Sequence, residues 1–302
     1  MTPSPDDRRR RGATILATYR VETSADGLEY ATRGDGPAVL ALHGGLGGWD
    51  QSALLDHLLA GEVPHTALAV SRPGHLGSPA GLGRDADAQA DAYARLLDRQ
   101  GFADAVVMAI SGGGPCALAF AHRHPERCRG LVLVSAATDR LIPKMPLAFR
   151  ILMLAARIKP LVNFLAARAA RDPERADRRA IPDPDLRARV LADPDTAGAL
   201  SALRASLFAR LPERLGGLAL DLDQCRDQRT PEPGAIACPT LIVHAVDDVV
   251  VPHAMSARLA ERIAGAELMT LEGGGHMALF TDRRRIADAV ARFLAALPPP
   301  KA

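Results

Sequence analysis

The sequence predicts an α/β protein, with a mostly parallel sheet covered by helices on both faces and an inserted helical cap. Three observations carry that prediction. Apolar runs at residues 38–42, 66–70 and 240–246 lack the alternation of a half-exposed strand, so they read as strands buried on both faces. Segments of helical period separate them, and strands alternating with helices imply parallel pairing through right-handed crossovers. Between about residues 138 and 233 the alternation stops and the pattern turns mainly helical.

In chain order, residues 1–12 are polar, basic and proline-containing and read as a loose, disordered tail. Residues 15–22 and 28–33 read as a strand hairpin, with the Asp26-Gly27 pair marking the tight turn. The strand at 38–42 stops at His43-Gly44-Gly45-Leu46-Gly47-Gly48, and a helix follows over 51–60. After the strand at 66–70 comes the loop Ser71-Arg72-Pro73-Gly74-His75-Leu76-Gly77-Ser78-Pro79. Ala90, Tyr93, Ala94 and Leu97 place a helix over 86–100 by their three- and four-residue spacing. A strand over 103–110 then runs into Ser111 and three glycines, before a small-residue helix to about His124 and a strand at 130–137.

Residues 146–171 read as two amphipathic helices kinked near Pro160, with Leu147, Ile151, Leu154, Ile158, Leu161 and Leu165 on one stripe. Residues 172–195 are charged and proline-rich, and a further helix spans 198–211. The sheet pattern resumes with strands at 240–246 and 267–271 and helices at 254–264 and 283–296. The expected organisation is therefore a core of 13–138 and 232–302 with a cap of 139–231. That cap belongs on the carboxyl edge of the sheet, where ligands of open α/β sheets bind.

Composition narrows the function classes. The 302 residues are 48% hydrophobic, enough for a large core, and 37 basic against 35 acidic residues leave a charge of +2. Such a balance shows no footprint for nucleic acid or a charged membrane surface, so the expected partner is a small molecule. Lysine occurs only at Lys144, Lys159 and Lys301, so the arginine abundance reads as a compositional bias. Cys116, Cys128, Cys225 and Cys238 have no paired spacing, which points to a reduced, cytoplasmic setting. No apolar segment approaches the roughly 20 residues that span a bilayer. No histidine pair has metal-ligand spacing, so no metal site is expected.

Chemistry concentrates where the strands end. A buried strand that turns sharply at Ser111, with the small residues Ala109 and Gly113 two positions to either side, fits a serine held at the tip of a strained turn. A serine hydroxyl is a weak nucleophile until a neutral imidazole accepts its proton, and the imidazole in turn needs a carboxylate. Asp248 and His276 follow later strands and supply those groups in the order Ser, Asp, His. Attack on a carbonyl also needs donors for an oxyanion, for which the amides of Gly45 and Gly112 are placed. Gly44, Trp49, Ile110 and Met277 adjoin these residues and are candidates for the substrate pocket.

These stretches make the chain resemble serine hydrolases of the α/β-hydrolase superfamily, over about residues 28–138 and 232–296. The marks are His43-Gly44-Gly45, Arg72-Pro73-Gly74-His75-Leu76-Gly77-Ser78, Ala109-Ile110-Ser111-Gly112-Gly113, the segment from His244 through Pro252, and Gly274-Gly275-His276. Ala109 and Ala245 stand where glycine is usual, and both remain small. The resemblance implies an eight-stranded sheet, a Ser111–Asp248–His276 triad and no cofactor. Its frame His-x-x-x-Asp-x-x-Val-Pro selects Asp248 over the neighbouring Asp247 and over Asp139.

The remaining histidines have structural readings: His43 braces the oxyanion loop, His244 ends a core strand, and His253 begins a helix. His57, His122 and His124 read as helix-surface residues, and His65 and His75 as loop residues. The expected reaction is hydrolysis of a small or medium carboxylic ester through an acyl-enzyme. The same triad also serves carbon–carbon bond hydrolysis, lactone opening, amide cleavage or acyl transfer, and a non-catalytic receptor can retain the fold.

Overall fold

The computed structural model describes residues 2–141, 158–232 and 234–301. Eight strands form one sheet: β1 (Arg20–Thr23), β2 (Glu29–Arg33), β3 (Ala38–Leu42), β4 (Thr66–Val70), β5 (Ala105–Ile110), β6 (Cys128–Val134), β7 (Thr240–Ala245) and β8 (Glu267–Leu271). Their spatial order is β1-β2-β4-β3-β5-β6-β7-β8. The pairs β1–β2 and β2–β4 are antiparallel, and all the others are parallel.

Period-two alternation explains why these strands read as continuously apolar. Val107 and Ala109 of β5 face one core layer with Leu40, Leu42, Tyr93 and Phe120. Val106 and Met108 face the other, with Val39, Leu55, Val132, Val243 and Ile286. The first layer rests on helices α3 (Ala86–Gln100) and α4 (Gly114–Arg123), and the second includes residues of α2 (Trp49–Leu59).

Register fixes what lies at the carboxyl edge. Leu42 is opposite both Val70 and Ala109, Ile110 is opposite Val134, Val134 is opposite Val243, and Ala245 is opposite Leu271. The strands thus end in one row. Loops far apart in sequence become neighbours there.

Between β6 and β7 the described chain is helical: α5 (Lys159–Arg171), α6 (Pro173–Ala180), α7 (Pro184–Ala192), α8 (Pro194–Phe208) and α9 (Leu215–Asp227). Helices α10 (His253–Arg262), α11 (Ala278–Thr281) and α12 (Arg283–Ala296) complete the fold. Among the described residues no helix is long and apolar enough to cross a membrane.

Two expectations require correction. The segment read as a loose tail belongs to a helix, α1 (Pro5–Ala17), so residues 15–17 are helical as well and β1 starts only at Arg20. Ser4 and Asp7 form a reciprocal capping box with Pro5 at the first helical position, a start signal masked by the arginines behind it. The helix then packs on α8, so closely that a Cβ on Gly12 would lie 2.5 Å from the Gly198 carbonyl oxygen. Arg8 Nη1 meets the buried Asp177 at 2.7 Å, and Arg204 pairs with the same carboxylate.

The stripe read across Pro160 also differs. Leu147, Ile151, Leu154 and the Leu165 side chain lie outside the described residues, while Ile158 and Leu161 are exposed. Val162, outside that stripe, is buried against Leu46, Leu211 and Leu218. Pro160 stands in the first turn of α5, where its missing N–H costs no hydrogen bond.

Candidate active site

Ser111 stands where β5 gives way to α4, with a left-handed φ of 53°. A serine in this conformation is strained, and the strain lifts its side chain clear of the sheet. The neighbouring loop comes close: a Cβ on Gly44 would lie 2.9 Å from Ser111 Cβ. Only glycine permits that approach.

His276 follows β8 on a short turn in which Gly274 and Gly275 both have positive φ. Its Nε2 is 3.0 Å from Ser111 Oγ, and its Nδ1 is 2.8 Å from Asp248 Oδ2. A carboxylate at Nδ1 requires the proton there, which leaves the Nε2 lone pair to accept from the Ser111 hydroxyl. Asp248 is buried, and its other oxygen accepts from the amides of Val250 at 2.8 Å and Val251 at 3.0 Å. Burial alone would raise its carboxyl pKa, but hydrogen bonds from His244 and His276 outweigh that and hold it well below the usual carboxylate range.

The two rivals have other work. Asp247 accepts from the Gly275 amide at 2.8 Å and so braces the turn carrying His276. Asp139 accepts from Arg258 at 3.0 Å.

Across from this relay lies the His43–Gly48 loop. A Cβ on Gly112 would be 3.3 Å from the Gly45 nitrogen, so the two glycines adjoin each other beside Ser111. His43 accepts from the Arg72 amide at Nε2, 3.0 Å away, and so carries its proton on Nδ1, which donates to the Gly44 carbonyl at 2.6 Å. Burial, together with the nearby Arg72 and His75, holds the His43 pKa far below the ordinary imidazole value, so this ring is neutral.

The structure adds a pair that sequence reading did not identify. Arg72, fully buried, donates to both oxygens of Asp221 on α9, at 2.6 and 2.7 Å, and to the Gly44 carbonyl at 3.1 Å. Burial opposes the charge on each partner, yet their mutual attraction raises the Arg72 pKa and depresses that of Asp221, so both stay ionised. A sequence signal for Asp221 exists: it shares the buried face of α9 with Gly217, Leu218 and Cys225 at helical spacing. A carboxylate on such a face requires a partner.

Of the candidate pocket residues, Gly44 adjoins Ser111, while Ile110 and Met277 are half-buried against the same apolar layer. Trp49 instead packs against Tyr19, Ala31, Ala53, Ala67 and Ala69, a position that gives its ring a packing role. The loop residues His65 and His75 are both buried; His65 Nε2 lies 2.6 Å from Asp56, and His75 stacks edge-on against His43. Cys116 is buried and donates to the Gly113 carbonyl at 3.2 Å. Among the described residues no group of three or more His, Cys, Asp or Glu side chains is arranged to hold a metal.

A family model described as the alpha/beta hydrolase fold matches residues 37–283. The chain belongs to the α/β-hydrolase family. Among α/β-hydrolase relatives, a Chromobacterium violaceum pimeloyl-acyl-carrier-protein methyl ester esterase is 30% identical, over 87% of this chain and 96% of its own. A Bacillus subtilis protein named uncharacterized hydrolase YcgS is 28% identical, over 85% of this chain and 92% of its own. The solved alpha/beta hydrolase fold protein from Nakamurella multipartita has a TM-score of 0.76 at 32% identity, covering 91% of this chain and 99% of that one. Family membership makes this protein a hydrolase and agrees with its eight-stranded sheet.

Proposed function

We propose that this hydrolase cleaves a small or medium carboxylic ester through an acyl-enzyme formed on Ser111. The observation that carries the reading is the continuous chain Ser111 Oγ, His276 and Asp248, with contacts of 3.0 and 2.8 Å. His276 takes the hydroxyl proton as Oγ bonds to the acyl carbon, and the carbonyl electron pair moves onto oxygen. The Gly45 and Gly112 amides receive that oxyanion, each such donor contributing about 3 kcal/mol. On collapse the bond to the alkoxy oxygen breaks, and His276 returns the proton to the departing alcohol. Water then attacks the acyl-enzyme with His276 again as base, releasing the acid and restoring Ser111.

The choice of an ester over the other bonds open to such a triad draws on the Chromobacterium relative, whose name describes a methyl ester esterase. A fluorophosphonate probe should label native protein at Ser111, and Ser111→Ala should abolish both labelling and turnover of a panel of methyl and aryl esters. Labelling that survives the substitution would overturn the assignment. Cleavage of lactones or amides in preference to every ester would move the substrate class.

A further inference from the structure

We propose that Asp221, on the inserted helix α9, is a positioning residue for the reaction. Through Arg72 it fixes the peptide that presents the Gly45 amide to the substrate's carbonyl oxygen. This inference rests on the reading of Gly45 as an oxyanion donor. The Gly44–Gly45 peptide is planar and trans, so its C=O and N–H point in opposite directions. Holding the oxygen therefore aims the N–H.

Two donors hold that oxygen, His43 Nδ1 at 2.6 Å and Arg72 Nη2 at 3.1 Å. The His43 ring is itself kept in place by the Arg72 amide at 3.0 Å, so both supports run through residue 72. Arg72 has no solvent to turn towards, and Asp221 grips it with both oxygens. A bidentate pair fixes the guanidinium plane as well as its position, which a single contact does not.

The pair also settles a problem of charge. A Cβ on Gly112 would lie 3.7 Å from Asp221 Oδ2, and one on Gly45 would lie 4.0 Å from it. A bare carboxylate so close would oppose an oxyanion, whereas the paired one is neutralised by Arg72. His75 Nε2 faces the same carboxylate at 3.4 Å. The seat of α9 is correspondingly exact-fitting: a Cβ on Gly217 would lie 2.0 Å from His75 Nδ1, and the Gly217 amide donates to the Gly74 carbonyl at 2.7 Å.

The test compares Asp221→Asn with Asp177→Asn, which weakens another buried ion cluster, one in which Asp177 of α6 joins Arg8 of α1 and Arg204 of α8. Active sites are counted by end-point fluorophosphonate labelling, and kcat is expressed per labelled site. Asp221→Asn should lower kcat about 100-fold, the loss typical of one oxyanion donor, with little change in KM. Asp177→Asn should lower the melting temperature and leave kcat per site unchanged. An unaltered kcat per site in Asp221→Asn, or an equal loss in Asp177→Asn, overturns the proposal. Should Asp221→Asn fail to fold, the double variant Arg72→Met/Asp221→Leu replaces the ion pair by apolar side chains and must show the same loss in kcat. Normal kcat in that variant overturns the proposal too. A wild-type chain that Ser111-directed probes do not label would instead overturn the functional reading beneath it.

Discussion

The two halves of the site are built from different parts of the molecule. The proposed proton relay of Ser111, His276 and Asp248 comes wholly from loops that follow β5, β8 and β7. Its supports are equally local: Asp247 holds the Gly275 amide, and the Val250 and Val251 amides hold Asp248. The proposed oxyanion side begins on the loop after β3 but is braced from the loop after β4 and from α9, well over a hundred residues away in sequence. Damage to the inserted helices should therefore reach one half and spare the other. A relay carried and braced by strand-end loops alone stands apart from the inserted helices, while the proposed anion site borrows rigidity from them.

The largest expected effect lies in the relay. Asp248→Asn keeps the shape but loses the charge and favours the wrong imidazole tautomer, so kcat should fall by about 10⁴-fold. The measurement is steady-state hydrolysis together with a melting curve showing a folded variant. A loss below tenfold would mean that His276 is oriented by something else.

Acid should act on both halves at once. The carboxyls of Asp248 and Asp221 are held low, by His244 and His276 in one case and by Arg72 and His75 in the other, each against the opposing effect of burial. A carboxyl with a depressed folded pKa contributes stability that is complete above its unfolded value of about 3.9 and is lost as pH falls through the folded value. Urea midpoints should accordingly decline below about pH 4, and Asp221→Asn should remove part of that decline. A midpoint that rises on acidification would contradict the ionised state of both residues.

The smallest effect is local to the relay. Asp247→Ala removes the acceptor of the Gly275 N–H and should lower kcat/KM roughly fivefold, about 1 kcal/mol, while leaving stability nearly intact. Such a result would sharpen the contrast, since a relay support can then be removed without disturbing α9.

How far the sequence revealed this arrangement follows the same division. Helices 86–100 and 283–296 and strands 38–42, 66–70 and 267–271 have the expected bounds, because the helices have a clean helical period and the strands are short runs bounded by glycine- or proline-containing stretches. The adjacency of Ser111, Asp248 and His276 was legible because each follows a strand, and strand ends share an edge. The Ser4–Asp7 capping box was present but overshadowed by charge, so α1 read as a tail. The pairing of Asp221 was hidden for a stronger reason, although its place on a buried helix face marks it as needing a partner. Its partner is Arg72, and nothing local in either stretch announces a contact between elements so distant in sequence.

Helix α1 has a consequence for how the molecule opens. It precedes β1 in the chain yet lies against α8, with Gly12 on Gly198 and Arg8 buried on Asp177. Local opening proceeds in cooperative units set by such packing. The first turns of the polypeptide and the inserted helices therefore form one such unit, and protection of their amides against exchange should rise and fall together.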